Sequence, residues 1–180
     1  MNALGGTFSH PRDNLERIVI GEGSTVIDLG AGSGHYAQAA SELVGPEGRV
    51  YAIDIQKDLV RRLHGIARTN KLHNMEVIHG DIEKIGGSKI AGGTAEVTLL
   101  CNVLFQVEHK DDLVQEALRV TRPGGRVCII DWVDSNFGMG PDAELIVSQE
   151  DARALFEHHA EFVSEFDAGD HHYGIIMRKK

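Results

Sequence analysis

The sequence predicts one doubly wound α/β domain built around a mostly parallel β-sheet. Two observations lead to this prediction. Short β-branched runs alternate with longer stretches of helical spacing, and 180 residues suit a single domain. No internal repeat and no Pro- or Ser-rich linker divides the chain. We therefore expect residues 1–180 to fold as one unit, with helices on both faces of the sheet.

The first part of the chain predicts five strands, each followed by a helix or a loop. The strands cover residues 25–29, 49–54, 75–79, 94–101 and 126–132. Helical spacing predicts an N-terminal helix over 12–20, within a cap segment 1–20, and further helices after residue 35, over 57–70 and near 113–120. Residues 82–93 are Gly-rich and predict a loop. Arg122-Pro123-Gly124-Gly125 is expected to end the last of these helices and turn the chain.

The C-terminal part predicts one helix and a hairpin. Ser148 is placed to cap a helix that runs to about His159, with Asp151 at the capping-box position. Residues 161–166 and 171–177 are typical of a hairpin that adds one antiparallel strand at the sheet edge, for seven strands in all. Residues 134–147 predict an irregular loop.

Composition excludes several classes of protein. The net charge is −9 and no basic face is visible apart from residues 178–180, which disfavours nucleic acid as a partner. Cys101 and Cys128 each lie in an apolar run and are expected to be reduced core residues. No apolar run approaches the ~20 residues that span a membrane, and no signal pattern begins the chain. We expect a cytoplasmic protein.

A glycine loop is the strongest local motif. Residues 28–34, Asp-Leu-Gly-Ala-Gly-Ser-Gly, join a predicted strand directly to a predicted helix. Glycines allow a sharp turn and close approach of a ligand, and the helix N-terminus offers unpaired N–H groups. A dinucleotide-binding loop reads G-x-G-x-x-G, but its last position falls here on His35. The motif therefore disfavours a nicotinamide-dependent oxidoreductase.

Asp54 ends the second predicted strand, twenty residues after Gly34. An acid at this strand end can accept hydrogen bonds from the two hydroxyls of a ribose. The alternative is a strand-end acid that caps the following helix.

Taken together, five segments resemble class I S-adenosylmethionine-dependent methyltransferases, in particular the small single-domain type similar to ubiquinone/menaquinone-biosynthesis methyltransferases. The segments lie in order between residues 20 and 133: residues 28–34, 52–55 (Ala-Ile-Asp-Ile), 79–82 (His-Gly-Asp-Ile), 101–107 (Cys-Asn-Val-Leu-Phe-Gln-Val) and 122–126 (Arg-Pro-Gly-Gly-Arg). The resemblance implies a Rossmann-like fold and S-adenosylmethionine as cofactor, with S-adenosylhomocysteine as product.

The resemblance also implies which residues hold the methionine and ribose parts of the cofactor. The backbone of Gly30, Gly32 and Gly34 would pass beneath them. Asp28 would hold the amino group, directly or through water, and Asn102 would face the methionine end.

The same resemblance implies contacts to the nucleoside. Asp54 would accept from the ribose diol and Ile55 would pack on the adenine. Asp81 would accept from the adenine amino group while the Ile82 N–H donates to the ring. An ordinary turn residue is the alternative for Asp81.

Methyl transfer is a direct displacement, so the cofactor carries the reactive group and no nucleophilic side chain is required. Asp131 and His109 lie beyond strand ends and are the candidate catalytic residues; Gln106 and Trp132 are near them in sequence. The alternatives are a strand-end acid bonded to local backbone for Asp131 and a solvent-facing helix-start residue for His109. Phe8, His10 and residues 134–147 are expected to cover the acceptor pocket.

The histidine pairs 158–159 and 171–172 do not predict a metal site, because adjacent side chains point apart and acidic or thiolate partners are missing at ligand spacing. The leading hypothesis is methyl transfer to a small-molecule acceptor. The alternatives are a protein or RNA acceptor bound through a partner, and a non-catalytic S-adenosylmethionine-binding module. The oligomeric state is open, with a homodimer as one option.

Overall fold

The computed structural model describes residues 10–134 and 140–180. Phe8 and residues 135–139, which were expected near the acceptor pocket, lie outside these ranges. The helices are α1 (Pro11–Arg17), α2 (His35–Val44), α3 (Lys57–Thr69), α4 (Lys110–Val120) and α5 (Gln149–Ala154), with a 3₁₀ turn at Ala143–Leu145. The strands are β1 (Thr25–Leu29), β2 (Arg49–Asp54), β3 (Met75–His79), β4 (Ala95–Cys101), β5 (Thr121–Trp132), β6 (Ala160–Asp167) and β7 (His172–Lys179).

The seven strands form one sheet in the order β3-β2-β1-β4-β5-β7-β6. Strands β1 to β5 are parallel, and β7 is antiparallel to both of its neighbours. The predicted doubly wound fold with a single antiparallel strand is therefore confirmed. The expected place of that strand was wrong, because β7 lies inside the sheet and β6 forms the edge.

Alternation along the strands divides the core between the two faces of the sheet. Val26 of β1 packs with residues of α1, α2 and α3, whereas its neighbour Ile27 packs in a cluster with residues of α4. This is the period of two that a strand buried on both faces requires. Among the described residues, no helix is long and apolar enough to cross a bilayer.

Three predicted boundaries were wrong. The N-terminal helix, expected over residues 12–20, runs from Pro11 to Arg17. The other two differ for local reasons. The fifth strand begins at Thr121, not at residue 126, because the Pro-Gly-Gly segment forms a bulge within it: Ala95 pairs with Thr121, whereas Val97 already pairs with Arg126. The last helix ends at Ala154, since residues 155–159 form turns. Its predicted cap is confirmed: Ser148 Oγ accepts from the Asp151 N–H at 3.1 Å.

Glu116 of α4 holds the Gly-rich loop at residues 82–93 against the domain. Its buried carboxylate accepts from the N–H groups of Gly86 and Ser88, at 2.7 and 3.1 Å, and pairs with Arg119 at 2.7 Å. Burial alone raises the pKa of this carboxyl, but the hydrogen bonds from Arg119, Ser88 and Gly86 outweigh burial and lower the pKa to about 2. The loop that carries Asp81 is thereby fixed to α4.

Replacing Glu116 by Gln should destabilise the protein by about 2 kcal/mol at neutral pH, because buried donors lose a charged acceptor. A carboxyl with a lowered pKa stabilises the fold above its unfolded pKa of 4.5, and this contribution is lost as the pH falls toward about 2. The difference between the two proteins should therefore shrink over that range in urea unfolding. Glu22→Gln, at an exposed position, is the control and should change little at either pH. Equal stability of Glu116→Gln and wild type at pH 7 would contradict this account.

Candidate functional site

The loop after β1 is tied to the end of the neighbouring strand β2. The N–H groups of Gly30 and Ala31 both donate to the Ile53 carbonyl at 2.9 Å, and the Gly32 N–H donates to Asp54 Oδ2 at 2.9 Å. Gly30 has φ +83°, and a Cβ there would come within 2.7 Å of Val103 Cγ2. The backbone can therefore pass this closely to the β4–α4 connection only as glycine. The loop lies at the carboxyl ends of β1 and β4, where the strand order reverses and α/β folds bind ligands.

Gly34 has a different position from the other two loop glycines. It precedes α2 with φ +85°, and a Cβ at this position would clash with Leu63 of α3. Two cavities, described below, lie beside the loop, and Gly34 is not among the described residues that line them. The left-handed backbone of the loop and its close packing on α3 therefore explain why this position is a glycine.

A cleft of about 410 Å³ opens on the β2 side of the loop. It brings together six of the nine predicted cofactor residues: Gly30, Gly32, Asp54, Ile55, Asp81 and Ile82. Ile55 is 55% exposed, which leaves an apolar surface open to a flat ring. These residues come from three separate strand ends, so the fold assembles what the sequence keeps apart.

Asp54 is both the strand-end acid that caps the following helix and a possible acceptor for ribose hydroxyls. Its Oδ1 accepts from the Gln56 N–H at 2.8 Å, at the start of α3, and its Oδ2 accepts from Gly32 at 2.9 Å. A carboxylate oxygen can accept two hydrogen bonds, so each oxygen retains one site for a hydroxyl in the cleft. The same side chain anchors the loop and offers the acceptors that a ribose needs.

Asp81 also makes the contacts of a turn residue. Its Oδ1 accepts from the Glu83 N–H at 3.1 Å, and its Oδ2 lies 2.7 Å from the Lys84 ammonium. The hydrogen bond from Lys84 lowers the pKa of Asp81, which is therefore ionised at neutral pH. The carboxylate lines the cleft in a form that accepts hydrogen bonds.

A second cavity of about 250 Å³ lies on the other side of the loop and shares Gly30, Gly32 and Gln106 with the cleft. Within the described ranges, five buried side-chain polar atoms have no hydrogen-bond partner: both carboxylate oxygens of Asp28, Asn102 Oδ1, Trp132 Nε1 and His172 Nε2. All four residues line this one cavity. Buried polar groups are normally paired, so a concentration of unpaired ones in one place indicates a polar ligand.

Asp28 is the most unusual of these groups. It is 1% exposed, and burial together with the nearby charge of Asp54 raises the pKa of its carboxyl to about 7. The backbone N–H of Ala37 is near enough to oppose this shift slightly but forms no hydrogen bond of standard geometry. An uncompensated buried carboxylate is costly, and a cation placed in the cavity would remove that cost. The site therefore favours a ligand with a positively charged group beside Asp28.

Asn102 directly follows β4 and lies in the left-handed region with φ +56°, a conformation that Asn tolerates better than most residues. Its N–H donates to the Ile130 carbonyl at 2.8 Å and its carbonyl accepts from Gln106 Nε2 at 2.6 Å. The backbone is thus fixed on both sides while the side-chain oxygen stays available in the cavity.

The two predicted catalytic residues lie outside both cavities. Asp131 Oδ2 accepts from the N–H groups of Val103 and Leu104, at 3.1 and 2.9 Å, and Oδ1 accepts from Trp132 at 2.9 Å. His109 is exposed before α4, and its backbone N–H donates to Glu83 Oε2 at 2.7 Å. Asp131 thus makes the local backbone contacts that its alternative interpretation describes. His109 has the exposed helix-start position that its alternative describes. The geometry offers no support for catalysis by either residue.

His172 was missed by the sequence analysis, which placed it in the hairpin without a functional role. Its neighbour across the sheet is Trp132, and the two ring centroids are 4.3 Å apart. The described part of the expected covering loop also reaches this point, since Gly140 packs on the Trp132 ring. His10 is exposed, and the adjacent Pro11 lines the cavity. Only the β5–β7 register brings His172 to the site, so no local signal could have found it.

A family model described as "Methyltransferase domain" matches residues 20–176. The chain belongs to this family. It is similar to an S-adenosylmethionine-dependent methyltransferase structure from Aquifex aeolicus, with 25% identity, a TM-score of 0.87 and coverage of 96% of this chain and 90% of the other. The expected class I methyltransferase fold is confirmed, and S-adenosylmethionine is the cofactor that the family implies.

Curated relatives share the same core. An arsenite methyltransferase of Halobacterium salinarum is 32% identical over 113 residues, which are 63% of this chain and 28% of that protein. A ubiquinone/menaquinone biosynthesis C-methyltransferase of Pseudomonas entomophila is 29% identical over 126 residues, which are 67% of this chain and 46% of that protein. The chain thus spans less than half the length of these two relatives.

Replacing Asp28 by Asn should stabilise the cofactor-free protein at pH 8 by about 1–3 kcal/mol, because an amide removes the cost of a buried charge. The folded pKa of about 7 lies above the ordinary 3.8, so wild-type stability is fully present below pH 3.8 and falls as the pH rises through 7. The advantage of the variant should therefore disappear near pH 4. Thermal unfolding between pH 4 and 8 measures it, with Asp58→Asn, an exposed acid on α3, as control. A difference that does not depend on pH would contradict an ionising Asp28.

Proposed function

We propose that this domain transfers the methyl group of S-adenosylmethionine to a small-molecule acceptor by direct displacement. The observation that carries the proposal is the set of unpartnered buried polar atoms in the cavity beside the glycine loop, next to a cleft with ribose-type acceptors. The names of the two curated relatives, which act on arsenite and quinone precursors, support a small acceptor. The acidic chain also disfavours nucleic acid.

The residues present fit the cofactor on chemical grounds. Asp28 would accept from the ammonium of the methionine part, which would stabilise its ionised form, and Asn102 Oδ1 offers a further acceptor. Asp54 would accept from the ribose hydroxyls with its remaining sites. Ile55 and Ile82 would pack on the adenine, and Asp81 would accept from its amino group.

When bound, the cofactor supplies an electrophilic methyl group on a sulfonium sulfur. The chain contributes positioning and exclusion of water. Asp131 acts indirectly in this scheme, because its bonds to Val103 and Leu104 fix the connection that packs on Gly30. Gly34 shapes the loop through its packing on α3.

We also propose that the protein acts in the cytoplasm. Cys101 and Cys128 are buried and unpaired, which fits a reducing compartment. A homodimer remains a prediction, which light scattering of the full chain would test.

Titration calorimetry tests the cofactor directly. S-adenosylmethionine and S-adenosylhomocysteine should bind with micromolar dissociation constants, while NAD should not bind, because the loop lacks the third dinucleotide glycine. Binding of NAD without binding of either adenosyl compound would overturn the proposed function.

Replacing Asp54 by Ala should weaken S-adenosylmethionine by roughly 1.5–3 kcal/mol, about 10- to 150-fold, because the ribose loses a charged acceptor and the Gly32 anchor is lost. Calorimetry of the folded variant measures the change. Asp58→Ala, an exposed acid on α3, is the matched control and should bind as wild type does. Unchanged affinity in a folded Asp54→Ala protein would remove Asp54 from the site.

A further inference from the structure

A third cavity, about 700 Å³ in volume, lies between the end of β5 and the β6–β7 hairpin. We call it the acidic groove, because four carboxylate side chains line it: Asp134, Glu165, Asp167 and Asp170. Of the described residues that line it, none is Lys or Arg. All four carboxylates are at exposed positions, and together they give this concave surface a negative potential that attracts cations and that salt screens.

Several of these carboxylates are held in place. Asp134 lies 2.5 Å from His171 Nδ1, Glu165 accepts from Gln149 at 2.6 Å, and Asp167 accepts from the Gly169 N–H at 2.9 Å. Each contact uses one carboxylate oxygen and leaves the other available to a ligand. These contacts fix the positions of three of the four carboxylates, and none of the described residues that line the groove is a Lys or Arg that would cancel their charge.

His172 connects the acidic groove to the proposed reaction site, since it lines both the groove and the cavity beside the glycine loop. His172 is only 4% exposed, and its Nδ1 lies 2.8 Å from the Asp170 carbonyl oxygen. A carbonyl can only accept, so Nδ1 carries the proton and Nε2 carries the lone pair. Nε2 has no partner among the described residues, and Trp132 packs against the ring at 4.3 Å.

The surroundings favour the neutral form of this imidazole. Burial lowers the pKa of His172; the hydrogen bond to the Asp170 carbonyl opposes this shift, and the charge of His171 adds a smaller lowering. A neutral ring whose only free nitrogen bears a lone pair can accept a proton from a ligand.

We propose that the methyl acceptor is a protonated amine, which the acidic groove attracts and which gives a proton to His172 Nε2. The proposal rests on the proposed methyltransferase function and names the class of its substrate. A neutral alcohol or phenol can donate a hydrogen bond to a carboxylate but gains no attraction between opposite charges, and a carboxylate or phosphate acceptor would be repelled.

The reaction balances without a further reactant. The ammonium R–NH₃⁺ gives one proton to Nε2, which forms an imidazolium and frees the nitrogen lone pair. This lone pair forms the N–C bond to the methyl carbon while the C–S bond breaks and its electron pair stays on sulfur, giving a thioether and R–NH₂⁺–CH₃. The imidazolium then gives its proton to water in the acidic groove.

Three linear four-carbon probes test the preference for charge: putrescine, 1,4-butanediol and succinate. Binding is measured by calorimetry on the full chain saturated with S-adenosylhomocysteine, and methylated product by mass spectrometry with S-adenosylmethionine. Putrescine should bind at least tenfold more tightly than 1,4-butanediol, lose affinity as salt is raised, and be the methylated probe.

Equal or tighter binding of 1,4-butanediol or succinate, or no binding of putrescine, would overturn the proposal. Binding of the adenosyl compounds is measured separately. If they bind but the probes give either of these results, the proposed function stays intact and only the substrate class is wrong. Absence of adenosyl-compound binding would instead remove the proposed function itself.

Asp170→Asn tests the groove, because the Asp170 side chain makes no hydrogen bond among the described residues while its backbone carbonyl still holds His172. Putrescine should bind about threefold more weakly, with the affinity for S-adenosylhomocysteine unchanged. Glu47→Gln removes one charge at an exposed position beyond α2 and should leave both affinities unchanged. Equal losses of putrescine affinity in the two variants would show an effect of net charge alone and would contradict binding in the acidic groove.

His172→Asn tests the proton acceptor, because an Asn amide can still donate to the Asp170 carbonyl but has no atom at the position of Nε2. With S-adenosylmethionine at a saturating concentration, the rate of putrescine methylation should fall at least tenfold. His172→Gln, whose amide reaches toward the position of Nε2 without basicity, should also be slow and serves if the Asn variant unfolds. Wild-type kcat in either folded variant would exclude His172 as the proton acceptor.

Discussion

The hydrogen bonds that tie the glycine loop to the end of β2 are the constraint on which the rest of the site depends. The Ile53 carbonyl accepts from Gly30 and Ala31, and Asp54 accepts from Gly32. These bonds hold the backbone in left-handed conformations that let it pass against Val103. Because the loop is fixed, the cleft and the cavity on its two sides have defined walls before any ligand is present.

Four acids stand at or near the ends of neighbouring strands, and their partners separate their roles. Asp131 accepts three backbone N–H groups and fixes a connection, whereas Asp54 accepts two and retains free acceptor sites. Asp81 is held by Lys84 at the surface of the cleft, and Asp28 has no partner within the described ranges. Satisfied acids stabilise the fold, while the unsatisfied one stores a cost that a cationic ligand can relieve.

The same logic extends to the β5–β7 side of the domain. Trp132 and His172 face each other across the sheet with their polar atoms unpartnered, and the acidic groove begins at His172. The cavities share lining residues, and around them lie a neutral imidazole and acids that differ in burial and in hydrogen-bond partners. Charged groups on this side of the domain can in this way favour ligands of opposite charge.

The sequence by itself determined the fold class and the bounds of β1, β2 and β3, and it singled out six of the residues that line the cleft, because the glycine loop and the acids at strand ends are local signals with fixed spacing. It also raised two readings for Asp54, Asp81, Asp131 and His109 without deciding between them. Only the tertiary structure shows which contacts each side chain makes, since a strand-end carboxylate has the same local sequence whether it faces a cavity or a neighbouring backbone. His172 shows the same limit most clearly: its place at the site follows from the pairing of β7 with β5, a contact between residues forty positions apart that no local pattern encodes.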